Sequence, residues 1–256
     1  MALSSRSVFR YGYEINQYNS SLDFRSVMGG PILQATLNTG YYSLASLLRE
    51  VARAMNAVDP ANTYAAGADR TYSGGLETRV TITASTSGYL DLLFGSGPRS
   101  TSSCGPLLGF ALVDRTGALH YVSQGSSGVS FSPSLTGYNY LDPEFQQKQF
   151  GAVNVSSSGQ KEAVVFQTQR FINVQFKYEP KTYAKFYWTP FMQWATKQRL
   201  FEFTPETTNP STFYEVTLER TPADGKGLAY AFKEMLPDFP NYYDIGNIQM
   251  RINEVA

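Results

Sequence analysis

The chain has 256 residues, enough for one large domain or two of about 100 to 150 residues without covalent staples. Its 21 Lys and Arg balance its 21 Asp and Glu, so no bulk charge is available to hold nucleic acid or an anionic membrane. One cysteine, Cys104, excludes an intramolecular disulfide framework and a multi-cysteine zinc site.

Charged residues make up 16% of the chain, with 18 Tyr and 17 Phe, against the ~25% charge of an average globular domain. Low charge with many aromatics is the composition of surfaces covered by other subunits; β-rich folds also favour aromatics. The opening segment MALSSRSVFRYGYE has no apolar stretch of signal-peptide type, and no run of about 18 apolar residues follows. A soluble product made in the cytoplasm is expected.

Phe9, Tyr11, Tyr13 and Ile15 alternate with polar or small residues, the period of a strand. After the Gly29-Gly30-Pro31 turn, Leu33, Ala35 and Leu37 repeat the pattern up to Gly40. From Ser43 the period becomes helical. Leu44, Leu47, Leu48, Val51, Ala54 and Met55 form one stripe, with Arg49, Glu50 and Arg53 away from its centre, Ser43 as N-cap and Pro60 beyond the end. A helix over about 43–57 is predicted.

Val80, Ile82 and Ala84 read as the next strand, and Tyr89 to Phe94 as a short strand or a helical turn. A small-residue loop from Gly95 leads to an apolar strand around Leu107 to Val113, and His120 and Tyr121 fall in another. Residues 123–160 are rich in Ser, Gly, Asn and Gln and read as long polar loops or arms. A boundary at Ser156 to Gly159 divides the chain into β-rich domains at 1–155 and 156–256.

Ile172, Val174, Phe176 and Tyr178 show the clearest alternation. Thr189 then reads as an N-cap with Pro190 in the first helical position, predicting a helix over about 190–199 with Phe191, Trp194 and Ala195 inward. Phe201 and Phe203, then Tyr214, Val216 and Leu218, then Ile248, Met250 and Ile252 alternate as strands, with a turn at 223–227. The expected class is α+β, mainly antiparallel β, with one helix per half.

No constellation in the sequence meets the requirements of a catalyst. His120 is the only histidine, so any Ser-His-Asp or Cys-His mechanism has a single candidate base, and its neighbours mark it as an ordinary strand residue. Cys104 lies near Arg99, which could lower a thiol pKa, but no second cysteine exists to resolve a redox intermediate. The loop Gly95-Ser96-Gly97 lacks the Gly-Lys-Ser/Thr of a phosphate cradle. Glu202 and Glu206, and Glu215 and Glu219, could form a glycosidase pair and read instead as solvated surface. Asp69, Asp91 and Asp114 show no calcium-loop spacing. Tyr183, Phe186, Tyr187, Trp188, Phe191 and Trp194 form the best stacking platform for a sugar or a single strand, or else a core. No catalytic, cofactor-binding or metal-binding residue is assigned, and no enzyme is expected.

Two stretches carry a family resemblance. Gly40-Tyr41-Tyr42-Ser43-Leu44-Ala45-Ser46-Leu47-Leu48, with Thr78 to Thr83, Tyr89 to Phe94 and Leu107-Leu108-Gly109-Phe110, resembles a pattern found in structural proteins of tailed bacteriophages. Phe201 to Glu206, Gly227-Leu228 and Ile248 to Ile252 are similar to the same class. The resemblance covers about half the chain. It implies two β-sandwich or barrel-like units of tail-tube type, each with a flanking helix. It also implies a non-enzymatic tail-tip, baseplate or adaptor ring, similar to distal tail or hub proteins, in the virion tail. The implied partners are copies of the chain, as a trimer or hexamer, and neighbouring tail proteins. Sequence-specific nucleic-acid binding and membrane insertion are not implied. Receptor or glycan binding at the virion surface, and a head-tail connector or capsid role, are the alternatives.

Overall fold

In the computed structural model, which describes residues 6–10, 12–72, 78–85, 88–125, 135–138, 143–197, 199–219, 231–235 and 239–253, antiparallel strands dominate and helices are few. The α+β class holds. In chain order the elements begin with β1 (Arg6–Arg10), β2 (Tyr13–Ile15), β3 (Ser21–Arg25), β4 (Leu33–Thr36), β5 (Gly40–Tyr42) and α1 (Leu44–Val58). There follow β6 (Tyr64–Asp69), β7 (Arg79–Ala84), β8 (Asp91–Leu92), β9 (His120–Val122), β10 (Leu135–Tyr138), β11 (Glu144–Val155) and β12 (Lys161–Pro180). The remainder is α2 (Lys181–Tyr183), a π-helical turn (Ala184–Trp188), α3 (Thr189–Ala195), β13 (Phe201–Thr204), β14 (Tyr214–Leu218), β15 (Ala231–Met235) and β16 (Phe239–Ile252).

The chain forms two units that are not consecutive in sequence: Ser7–Thr136 with Leu200–Phe213, and Met1–Arg6 with Gly137–Arg199 and Tyr214–Ala256. The expected division at 155/156 therefore does not hold. Ser156 to Gln160 is the turn of a hairpin whose two strands lie in one unit. Ser156 N–H donates to Gln160 O at 2.8 Å, Gln160 N–H donates to Ser156 Oγ at 3.0 Å, and Gly159 takes a φ of 81° that glycine tolerates best. The Ser/Gly composition marks a turn, not a linker.

In the first unit, α1 follows the stripe. Leu44, Leu47, Leu48, Val51, Ala54 and Met55 are buried, and Ser43 Oγ accepts from Ser46 N–H at 3.1 Å. Glu50, placed on the flank by periodicity, is also buried, because its carboxylate is held by Arg53 at 2.6 Å and by Asn38 N–H at 2.6 Å. The helix packs on β4, β5, β6 and β13. Asn56 pins the start of β6, accepting from Tyr64 N–H at 2.8 Å and donating to Tyr64 O at 3.0 Å. The three-stranded sheets β4-β3-β8 and β6-β7-β9 complete the core with Phe24, Tyr64, Phe94 and Phe110. The apolar stretch at Leu107 to Val113 is not a strand. Pro106–Leu108 is a single 3-10 turn ended by Gly109 at φ 82°, where Pro106 brings no N–H to a ladder.

In the second unit β14, β16, β12 and β11 pair antiparallel in that order, and β15 adds to β16. Ile172, Val174 and Phe176 are buried, and the Phe176 ring lies 4.8 Å from Trp188. The helical segment begins at Lys181, not at Thr189, so Pro190 sits inside it. The π-helical turn ahead of Pro190 re-pairs backbone that a proline would leave unmatched, and Thr189 Oγ1 donates to Ala184 O at 3.1 Å. The turn expected at 223–227 lies outside the described residues.

Candidate functional site

The residues singled out for chemistry are each committed elsewhere. His120 is exposed on β9, and among the described residues its one hydrogen-bond partner is Thr83 Oγ1, 2.7 Å from Nδ1. Cys104 is fully buried, and burial pushes its thiol up to about 12, so the nucleophilic thiolate is scarce at neutral pH. Arg99 is turned to Asp23, which it meets at 2.7 Å, and to Ala35 O and Thr36 Oγ1 at 2.8 Å each.

The Gly95-Ser96-Gly97 loop does aim backbone donors at an anion, and that anion belongs to the chain. Gly95 and Ser96 N–H donate to Asp114 Oδ1 at 2.8 and 2.9 Å, and Ser96 Oγ binds the other carboxylate oxygen. A phosphate would have to displace this carboxylate, which these bonds and Arg25 hold below the usual carboxylate range against its partial burial.

Of the carboxylates expected at the surface, Glu202 is fully buried and Glu215 nearly so. Glu202 Oε1 accepts from Ala45 N–H at 2.7 Å, in the first turn of α1, and from Arg70 at 2.9 Å. A negative group here neutralises the helix N-terminus; the role is structural. Among the described residues no group of three or more His, Cys, Asp or Glu could hold a metal ion, and no helix is long and apolar enough to cross a membrane.

The aromatic platform dissolves into packing. Trp188, Phe191 and Trp194 are buried and face one another with centroids 6.2 and 6.5 Å apart, leaving Phe186 and Tyr187 outside.

What sequence reading passed over is the ribbon made by β11 and β12. Among the described residues β16 pairs with β12 from Phe171 onward, whereas β11 pairs with it along β11's whole length, from Glu144↔Asn173 to Val155↔Lys161. Between Lys161 and Arg170, β12 has β11 as its only strand partner among the described residues. Among the described residues β11 ends the sheet order, and no described strand pairs with its outer edge. The ribbon carries Phe145, Val153, Val155 and Val165 at exposures of 51, 63, 61 and 51%. An isolated two-stranded hairpin is marginal in water, and this one carries exposed β-branched residues on both strands. The signal available in sequence was the pair of valine-rich segments flanking Ser156-Ser157-Ser158-Gly159.

No protein-family model matches the chain, and no curated protein matches it.

Proposed function

We propose that the chain is a non-enzymatic structural component of a bacteriophage tail, in a tail-tip, baseplate or adaptor position. In this reading it assembles side by side with copies of itself, as a trimer or hexamer, around the tail channel, and contacts neighbouring tail proteins. The single observation that carries assembly is the β11–β12 ribbon, with exposed valines and an outer edge that no described strand covers. Composition supports it further. Of a chain only 16% charged, Asp23, Glu50, Asp91, Glu179, Glu202 and Glu215 are buried, which leaves the outer surface poorer in charge than the total implies. The phage assignment rests on the resemblance stated above, as do the finer fold, two sandwich or barrel-like units of tail-tube type, and the virion location after synthesis in the host cytoplasm.

Sedimentation or mass photometry of the purified chain is expected to give a trimer or hexamer. A strict monomer at micromolar concentration that never joins tail components overturns the proposal. Val153→Asp with Val165→Asp places charge on the ribbon and is expected to shift the mass to monomer while the circular dichroism stays unchanged. Gene order resolves position: a neighbouring tape-measure gene places the chain at the tail tip, a neighbouring portal gene at a connector.

A further inference from the structure

The paired strands β2 and β5, separated in the chain by β3 and β4, carry a feature distinct from the ribbon. Tyr13↔Tyr42, Glu14↔Tyr41 and Ile15↔Gly40 pair across it. Tyr13 and Ile15 are buried below, so Glu14 and Tyr41 share the opposite, outward face. Beside them the turn at Asn16 to Asn19 is held by its own amides. Asn19 Oδ1 accepts from Asn16 N–H at 2.8 Å, Asn19 Nδ2 donates to Glu14 O at 2.9 Å, and Asn16 Oδ1 accepts from Tyr18 N–H at 2.9 Å.

The result is an open cleft of about 450 Å3 whose lining includes Glu14, Asn16, Gln17, Tyr18, Thr39 and Tyr41, within the ~300 to 1,000 Å3 of small-molecule sites. Tyr18 is 74% exposed and Tyr41 47%, two large aromatic faces on one cleft. Within the described residues the Glu14 carboxylate, the Gln17 amide and the Tyr18 hydroxyl make no hydrogen bond, and Asn16 commits only its oxygen. These polar groups are unspent in a turn already ordered, so a ligand would not have to bear the entropy of organising it.

We propose that this cleft is a binding site for a neutral carbohydrate. A pyranose has apolar C–H faces that stack on tyrosine rings and equatorial hydroxyls that both donate and accept, which matches a carboxylate acceptor, two amides and Thr39. Among the described residues no Lys or Arg lines the cleft, and these offer a phosphate, a nucleic-acid strand or an acidic sugar no countercharge. A quaternary ammonium would suit Tyr18, Tyr41 and Glu14 but has no use for the amides and the hydroxyl.

The test is an array of neutral oligosaccharides built on glucose, galactose and N-acetylglucosamine, probed with the full chain, followed by calorimetry on the retained sugar. Tyr18→Ala and Gln17→Ala alter exposed side chains and are expected to weaken binding at least about tenfold each. Phe186→Ala, an exposed aromatic elsewhere, is expected to leave it unchanged. Absence of any retained neutral glycan overturns the proposal, as does binding that survives Tyr18→Ala and Gln17→Ala, or binding of choline in place of sugar. Oligomer mass is read separately, so failure here leaves the assembly reading standing, and the reverse.

Discussion

Glu179 shows how burial sets the chemistry of one residue. It is 6% exposed, and its one hydrogen-bond partner among the described residues is Trp188 Nε1–H at 3.3 Å. Burial raises its pKa to about 7, and the indole donor only partly opposes this. The folded state therefore holds a proton that the unfolded state releases near the ordinary glutamate value. The stability this protonation gives is fully present below about pH 4.5 and is lost as pH rises towards 7, by about 3 kcal/mol in total. Denaturant titrations at pH 5 and pH 8 are expected to show a less stable protein at pH 8. Glu179→Gln, which keeps the acceptor without the charge, is expected to remove most of that difference; an unchanged pH dependence would refute the assignment.

Glu202 behaves differently because it has partners. Removing it leaves Arg70 and the first turn of α1 uncompensated, and it takes from the buried Arg10 the carboxylate that favours its charge against burial. Glu202→Ala is expected to cost about 3 to 5 kcal/mol in urea unfolding. A loss under about 1 kcal/mol would show that the ion pair is not what holds α1 in place.

At the scale of elements, the ribbon depends on one backbone position. The β11–β12 register slips between Phe150 and Gly151, and a Cβ at residue 151 would lie 2.2 Å from the Val164 carbonyl oxygen. Only glycine permits that approach. Gly151→Ala is expected to loosen the ribbon without unfolding the sheet beneath it. Amide protection of the β11–β12 bonds beyond Phe150 should fall by roughly tenfold or more while Ile172 and Val174 stay protected. Equal loss in both halves of β12 would contradict the separation of ribbon from sheet.

Elements also mark where the sequence is legible. α1 and β7 were readable because one face is buried and the other wet, so hydrophobic period and burial coincide: Val80, Ile82 and Ala84 are buried while Arg79, Thr81 and Thr83 are not. β11 was unreadable because neither face is fully covered, so selection for an inner face is weak and the strand reads as polar loop. The helical segment at Lys181 began eight residues before its apparent Thr189-Pro190 start, because a π-helical turn absorbs the proline that normally opens a helix.

For the whole molecule, the chain passes from one unit to the other four times, at 6/7, 136/137, 199/200 and 213/214. Leu200–Phe213 returns to the first unit, where β13 pairs with β1 through Val8↔Thr204, Phe9↔Phe203 and Arg10↔Glu202. Phe9 lies 4.9 Å from Phe203 and 6.3 Å from Phe201. No composition shift marks such a return. The candidate site was hidden for a related reason: Tyr18 and Tyr41 are 23 positions apart in a turn and a strand, and only the β2–β5 pairing brings them to one cleft.

By itself the amino-acid sequence determined the α+β class, the limits of α1, most of the buried alternation and the low charge. These are properties of local period and composition, which need no knowledge of what lies opposite. The tertiary structure alone decided that Glu202 is a buried helix partner, that Asp114 fills the glycine loop and that the tryptophans are core. It also decided that residues 144–170 are a ribbon. Each depends on which distant segment supplies the neighbour, and hydrogen bonding and burial are settled by neighbours rather than by residue type.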